Sequence, residues 1–210
     1  MREKIVIIGM GGHAHSVIDS ILRNGEYEIA GYVDKTNHGS YLGISYLGDD
    51  DKLLEIHSNG ITNAIVTIGF MGKSSIRNTI YNELKEIGYK LPVVIDKTAI
   101  IADNINIDEG TFVGKGSIIN ANSQIGKMCI INSKALIEHD SCIGDFSHIA
   151  VSACLCGEVK VGTESFIGAN STIVQCLSIG NNVFVGAGML VTNNITDGKR
   201  FTLNEQQYEK

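Results

Sequence analysis

From Ile95 to Val191 an aliphatic residue returns at every sixth position: Ile95, Ile101, Ile107, Val113, Ile119, Ile125, Ile131, Ile137, Ile143, Ile149, Leu155, Val161, Ile167, Ile173, Ile179, Val185 and Val191. If one residue in three were aliphatic, a run this long would arise by chance on the order of 10⁻⁸ of the time. A six-residue step does not keep residues on one side of an α-helix. In a strand, by contrast, side chains alternate, so the residue two before each ladder position points the same way. Those positions are mostly small: Ala99, Thr111, Ser117, Ser123, Cys129, Ala135, Ser141, Ser147, Ala153, Ser165 and Ser171. The residue after each ladder position is often a turn former, as in Gly114, Gly126, Gly144, Gly162, Gly168, Gly180 and Gly186, joined by Asp108, Asn120 and Asn132. Large inside, small inside, then a corner describes one face of a triangular coil. Three faces make about eighteen residues per turn of a parallel β-helix whose stacked rungs satisfy their own backbone hydrogen bonds.

Ahead of the ladder the pattern changes to alternating strand and helix. Strands are expected at Lys4–Gly9, Glu28–Asp34, Asn63–Gly69 and near Leu91–Ile95, and helices at Ala14–Asn24, around Asp50–Ser58 and at Lys73–Gly88. Alternating βα segments imply a short Rossmann-like parallel sheet covered by helices. The only proline, Pro92, sits near the change of period. This places a Rossmann-like domain at 1–91, a β-helix at 92–197 and a C-terminal tail at 198–210.

A length of 210 residues allows one large or two modest domains, and the net charge of −6 argues against a nucleic-acid surface. Neither a run of about 20 apolar residues nor a signal-peptide pattern is present, so a cytoplasmic protein is expected. All five cysteines lie in the ladder region without a Cys-x-x-Cys pair and read as small reduced fillers of the coil. Cys156, beside Gly157, is the one alternative nucleophile among them.

The first strand runs into Gly9-Met10-Gly11-Gly12-His13 directly before a helix. Backbone N–H groups at such a turn, with the helix dipole behind them, suit a phosphate, and Asp34 at the end of the second strand suits a ribose or base. The third fingerprint glycine is replaced by Ala14. A nucleotide or nucleotide sugar, NAD(P) and a purely structural α/β cap all fit these marks, with His13 favouring a pyrophosphate ligand. In the ladder, titratable groups concentrate at Ile137-Glu138-His139-Asp140 and at Gly144-Asp145-Phe146-Ser147-His148. A histidine beside a carboxylate is the usual base for deprotonating an attacking amine or hydroxyl. From these residues alone, a surface histidine at a coil corner fits equally well.

These stretches, together with Gly31-Tyr32-Val33-Asp34 and Gly157-Glu158-Val159-Lys160-Val161-Gly162, resemble the hexapeptide-repeat sugar acetyltransferases of the sialic-acid O-acetyltransferase type. That group includes the N-acetyltransferases acting on UDP-linked 4-amino sugars of the bacillosamine pathway and on GDP-perosamine. The resemblance covers residues 4 to about 196 and implies a left-handed helix, a homotrimer with active sites between subunits, and acetyl-CoA as co-substrate without a metal. It implies His139 as catalytic base oriented by Asp140. On the coenzyme side it implies His148 and Gly157, with Gly168 and Gly186, and on the nucleotide-sugar side Gly11, Gly12, His13, Asp34 and Lys35. The activity implied is N-acetylation of a nucleotide-linked 4-amino-4,6-dideoxy sugar for bacterial surface glycan. The alternative is O-acetylation of sialic acid or a related sugar hydroxyl.

One departure concerns the end of the ladder. Where the family closes its last coil with Gly-x-Pro-Ala at the adenine end of the coenzyme, this chain has Asp197-Gly198-Lys199-Arg200-Phe201-Thr202-Leu203-Asn204-Glu205. Lys199 and Arg200 either meet the 3′-phosphate or solvate the end of the helix. A zinc carbonic-anhydrase reading needs three histidines around one metal. The ladder holds only His139 and His148.

Overall fold

The computed structural model describes residues 2–70 and 75–203. Two compact units emerge, one formed by residues 2–69 and 75–97, the other by residue 70 and residues 98–203.

The first unit is a four-stranded parallel sheet. Its strands are β1 (Glu3–Ile8), β2 (Tyr27–Val33), β3 (Tyr46–Gly48) and β4 (Asn63–Val66), in the order β3-β2-β1-β4. Helices α1 (Gly12–Asn24), α2 (Leu53–Ser58) and α3 (Ser75–Ile87) accompany it. The expected start of the last helix at Lys73 lies outside the described residues. Ile5, Val6, Ile7 and Ile8 are all buried, as a strand covered on both faces requires. The three-residue β3 was not expected. The division falls after Lys97 rather than at 91, because the segment behind the short strand β5 (Val94–Ile95) is tied to α1. Ser20 Oγ–H donates to Asp96 Oδ2 at 2.7 Å and Asn24 Nδ2–H to the Ile95 carbonyl at 2.6 Å. Among the described residues no helix is long and apolar enough to cross a membrane.

The second unit is a left-handed parallel β-helix of two-residue strands in three sheets. Every ladder residue from Ile101 to Val191 is the second residue of such a strand. Rungs pair with those eighteen residues away, as where Cys142 faces Gln124 on one side and Lys160 on the other. The small inward positions from Thr111 to Ser171 are buried, and their hydroxyls are used. Ser147 Oγ donates to the Gly162 carbonyl at 2.7 Å and accepts the Ser165 N–H at 3.0 Å.

The corners differ from expectation in one respect. The residue with left-handed backbone stands three places after the ladder residue, and at eleven successive corners from Asn122 to Asn182 it is not glycine, with φ between 54 and 62°. The glycines directly after the ladder residue have a different cause. A Cβ on Gly144 would lie 2.7 Å from the Gly162 carbonyl carbon, and one on Gly168 would lie 2.4 Å from that of Gly186. Close stacking of successive corners, not backbone conformation, demands them, except at Gly186, where a Cβ would meet nothing nearer than 3.4 Å.

The last coil is shorter. Arg200 pairs with Phe184, and Asp197 Oδ1 accepts the Asn181 N–H, sixteen residues apart instead of eighteen. The two missing residues come from the corner after Val191, since Ile195 already bridges to Ile179. The expected tail from Asn204 to Lys210 lies outside the described residues.

The outward columns of the three sheets are chemically distinct. One is polar (Asn106, Gln124, Cys142, Lys160, Ser178) and one is largely apolar (Ile100, Ile118, Leu136, Cys154, Thr172, Leu190). The third carries Phe112, Ile130, His148, Phe166, Phe184 and Arg200. Of the five cysteines, all free, only Cys129 is fully buried, while Cys142 and Cys176 are exposed. The filler reading therefore applies to Cys129, since an outward strand position and a corner position take no part in the interior.

Candidate active site

Ile137 turns inward and Ser141 turns inward again, leaving Glu138, His139 and Asp140 to form the corner between them. Asp140 takes φ 58°, a conformation its short polar side chain tolerates. This throws its carboxylate back onto the preceding residue. His139 Nδ1 and Asp140 Oδ2 are 2.8 Å apart, and Asn122 Nδ2–H donates to Asp140 Oδ1 at 2.6 Å. Glu138 Oε2 accepts from Asn120 Nδ2 at 2.9 Å and from the His139 N–H at 3.4 Å.

The carboxylate holds a proton on Nδ1, so the lone pair of the neutral ring is on Nε2. The hydrogen bond to Asp140 is the largest influence raising the His139 pKa, burial opposes it, and the charges of Asp140, Glu138 and Glu158 add to the rise. The Asp140 carboxyl is lowered first by the Asn122 amide and then by His139.

One coil further on, Gly157 lies beneath the ring. A Cβ there would sit 2.6 Å from His139 Nε2 and 2.7 Å from Cε1. By standard backbone dimensions, Nε2 is then within roughly 5 Å of the Gly157 nitrogen. The Gly157 N–H makes no hydrogen bond to any described residue. At equivalent corners a neighbouring Asn or Asp accepts this N–H, as Asn132 Oδ1 does from Ser133 and Asn120 Oδ1 from Ala121. Cys156 stands where that Asn would be and supplies no such acceptor. His139 Nε2 therefore lies close to a backbone N–H that has no acceptor among the described residues. Burial pushes the thiol of nearby Cys154 up, away from thiolate.

The structure thus brings together His139, Asp140 and Gly157. His148 lies elsewhere, buried on the aromatic column, with Nδ1 2.8 Å from the Phe70 carbonyl, Nε2 3.4 Å from Asn132 Nδ2 and the ring edge-on to Phe166 at 5.1 Å. Gly168 and Gly186 stack on one another at a different corner.

In the first unit, Gly9 has φ 95°, and a Cβ there would lie 2.7 Å from Ile68 Cγ1, so the tight strand-to-helix turn requires glycine. Gly11 and Gly12 are exposed, and a Cβ on either would meet nothing within 4 Å, so internal packing does not account for them. Gly11 caps α1 without a side-chain bond, and His13 lies in its first turn. Asp34 Oδ2 accepts the Met10 N–H at 2.7 Å and Oδ1 the Thr36 N–H at 3.0 Å, with His38 Nε2 3.7 Å away. Burial works to raise the Asp34 pKa, but these two hydrogen bonds and His38 outweigh it, and the carboxyl ends lowered. Asp34 and Lys35 line a cavity of about 120 Å³ with Gly9, Asp50, Ile68, Ile76 and Ile80. An ionised carboxylate has about four acceptor positions, which leaves Asp34 room for a ligand hydroxyl or N–H.

A left-handed parallel coil of six-residue rungs behind a small parallel α/β sheet is the architecture of a hexapeptide-repeat acyltransferase. Residues 4–84 match the PglD N-terminal domain family. The perosamine N-acetyltransferase PerB from Caulobacter crescentus, solved with CoA and GDP-perosamine, is 33% identical over 92% of this chain and 91% of its own, with TM-score 0.87. The acetyltransferase domain of PglB from Neisseria gonorrhoeae FA1090, solved with acetyl coenzyme A, is 30% identical over 95% of this chain and 96% of its own, with TM-score 0.88. The Caulobacter enzyme is also known with one histidine replaced by asparagine or alanine, in complex with CoA and GDP-perosamine. No curated protein matches the chain significantly. The chain belongs to the PglD-like family of hexapeptide sugar acetyltransferases.

Proposed function

We propose that this protein transfers the acetyl group of acetyl-CoA to the amino group of a nucleotide-linked 4-amino-4,6-dideoxy sugar, with His139 as general base, in bacterial surface glycan synthesis. The observation that carries the proposal is the His139–Asp140 pair at 2.8 Å with Nε2 directed over Gly157. Its relatives support the two substrates: one is solved with CoA and GDP-perosamine, the other with acetyl coenzyme A.

The step needs a base and a donor. Nε2 accepts a proton from the sugar amine as the nitrogen attacks the thioester carbonyl carbon. Negative charge then develops on the carbonyl oxygen, where the Gly157 N–H is available to donate. As the carbon–sulfur bond breaks, the proton passes from Nε2 to the departing sulfur, which leaves as CoA thiol and restores the neutral imidazole. Asp140 holds the ring in the tautomer this cycle requires. In the first unit the open N–H groups of Gly11 and Gly12, with the dipole of α1 and His13, suit the pyrophosphate, and Asp34 and Lys35 suit the nucleoside. Three chains assemble around the apolar column, with His148, Gly168 and Gly186 serving the coenzyme.

The test is release of CoA thiol from acetyl-CoA with UDP-4-amino-4,6-dideoxy-N-acetylglucosamine and, separately, GDP-perosamine. His139→Ala should lower kcat about 10²- to 10⁴-fold with acetyl-CoA affinity little changed. Thiol release equal in the variant overturns the base assignment. Acetyl-CoA binding without release on either sugar overturns the acceptor.

A further inference from the structure

We infer that Asn122 is a positioning residue for the catalytic pair, its side-chain amide setting the Asp140 carboxylate so that one oxygen is held away and the other faces His139. The inference rests on His139 being the base but not on which sugar is acetylated.

Asn122 stands one coil before Asp140, at the equivalent corner position. Both residues have left-handed backbone, φ 61° and 58°, and the Asp140 N–H donates to the Ala121 carbonyl at 3.0 Å. That bond fixes the spacing of the two corners, and the side chains then meet: Nδ2 of Asn122 to Oδ1 of Asp140 at 2.6 Å. A carboxylate on an exposed corner is otherwise free to rotate about its Cβ–Cγ bond, a broad and soft torsion. With Oδ1 pinned, Oδ2 remains on Nδ1 of His139 at 2.8 Å. The imidazole is thereby oriented through two successive hydrogen bonds, and Nε2 is kept over Gly157. Three carboxylates influence the ring: Asp140, Glu138 beside it and Glu158 on the next coil. Only Asp140 is hydrogen-bonded to a ring nitrogen, so its orientation decides how firmly Nδ1 holds its proton.

An asparagine at a left-handed corner is also explained by backbone preference alone, and the choice of variant separates the two explanations. Glycine adopts this φ without strain and removes only the amide. In the full-length protein, Asn122→Gly should shift the His139 ring titration, followed by NMR, down toward the ordinary imidazole value, and lower kcat about 10- to 100-fold with the acetyl-CoA KM unchanged. Asn122→Asp keeps the shape but presents a carboxylate that cannot donate and repels Asp140. It should lose at least as much turnover, although an added negative charge by itself raises the His139 pKa. An unmoved or raised His139 titration in Asn122→Gly, or wild-type kcat in Asn122→Asp, overturns the inference. If no amino sugar is turned over by the wild type, the acceptor assignment fails while the NMR titration still decides the role of Asn122.

Discussion

Asp140 sits 2.8 Å from the ring it orients, and this contact has a consequence for pH dependence. The base must be neutral to accept a proton, and a raised pKa keeps His139 protonated to higher pH. The acidic limb of kcat should therefore have its midpoint above the ordinary imidazole value near 6.5. Asp140→Asn removes the largest influence raising that pKa, so the limb should move to lower pH while the alkaline plateau falls. A pH–rate profile of the two proteins checks both effects, and an unmoved limb would assign it to another group. At this scale the sequence was informative where chemistry is local: Glu138, His139 and Asp140 are neighbours, and a carboxylate beside a histidine is visible in the chain. It was silent on Asn122, Met10 and Thr36. The first is found only by counting one eighteen-residue coil back from Asp140. Met10 acts through a backbone N–H whose aim depends on how β1 and β2 pair, and Thr36 through the N–H of a local turn that closes on the Asp34 carboxylate two residues before it.

Among the elements, the corner glycines separate two kinds of close contact. At Gly157 an added Cβ would strike His139, an exposed side chain that can swing away. At Gly168 it would strike the backbone of Gly186, which cannot. Gly157→Ala should thus leave thermal stability nearly unchanged while lowering kcat about 10²-fold through displacement of the base. Gly168→Ala should cost about 1–3 kcal/mol by overpacking. Denaturant unfolding beside thiol-release assays separates the two, and equal stability losses would refute the distinction. The six-residue period was legible because each rung repeats one inward aliphatic residue. The reason for the corner glycines was not, since it lies in the distance between coils eighteen residues apart. Strand β3 was not legible because three residues carry too little alternation. The shortened last corner was not legible either, because Ile195 falls off the grid that ends at Val191.

For the molecule as a whole, the apolar column is the feature that a single chain leaves unused. Ile100 is 64% and Leu190 56% exposed, and between them Ile118, Leu136, Cys154 and Thr172 form an outward column without one charged residue. The neighbouring column of Asn106, Gln124, Lys160 and Ser178 shows what a solvent-facing rung of this coil looks like. An apolar face on a three-sided coil suits closure by rotation, and three copies give a closed ring with no open edge. Three chains of 22.6 kDa should sediment at about 68 kDa. Ile118→Glu places a charge in the middle of the column and should yield monomers, since an unpaired charge is not tolerated in a buried contact. The His139–Asp140 pair is built within one chain and should survive in that monomer with its titration unchanged. If the proposed active site is shared between subunits, turnover should nonetheless fall with loss of the neighbour. Wild-type protein sedimenting as a monomer would refute the assembly. A monomeric Ile118→Glu with full kcat would place the whole site within a single chain.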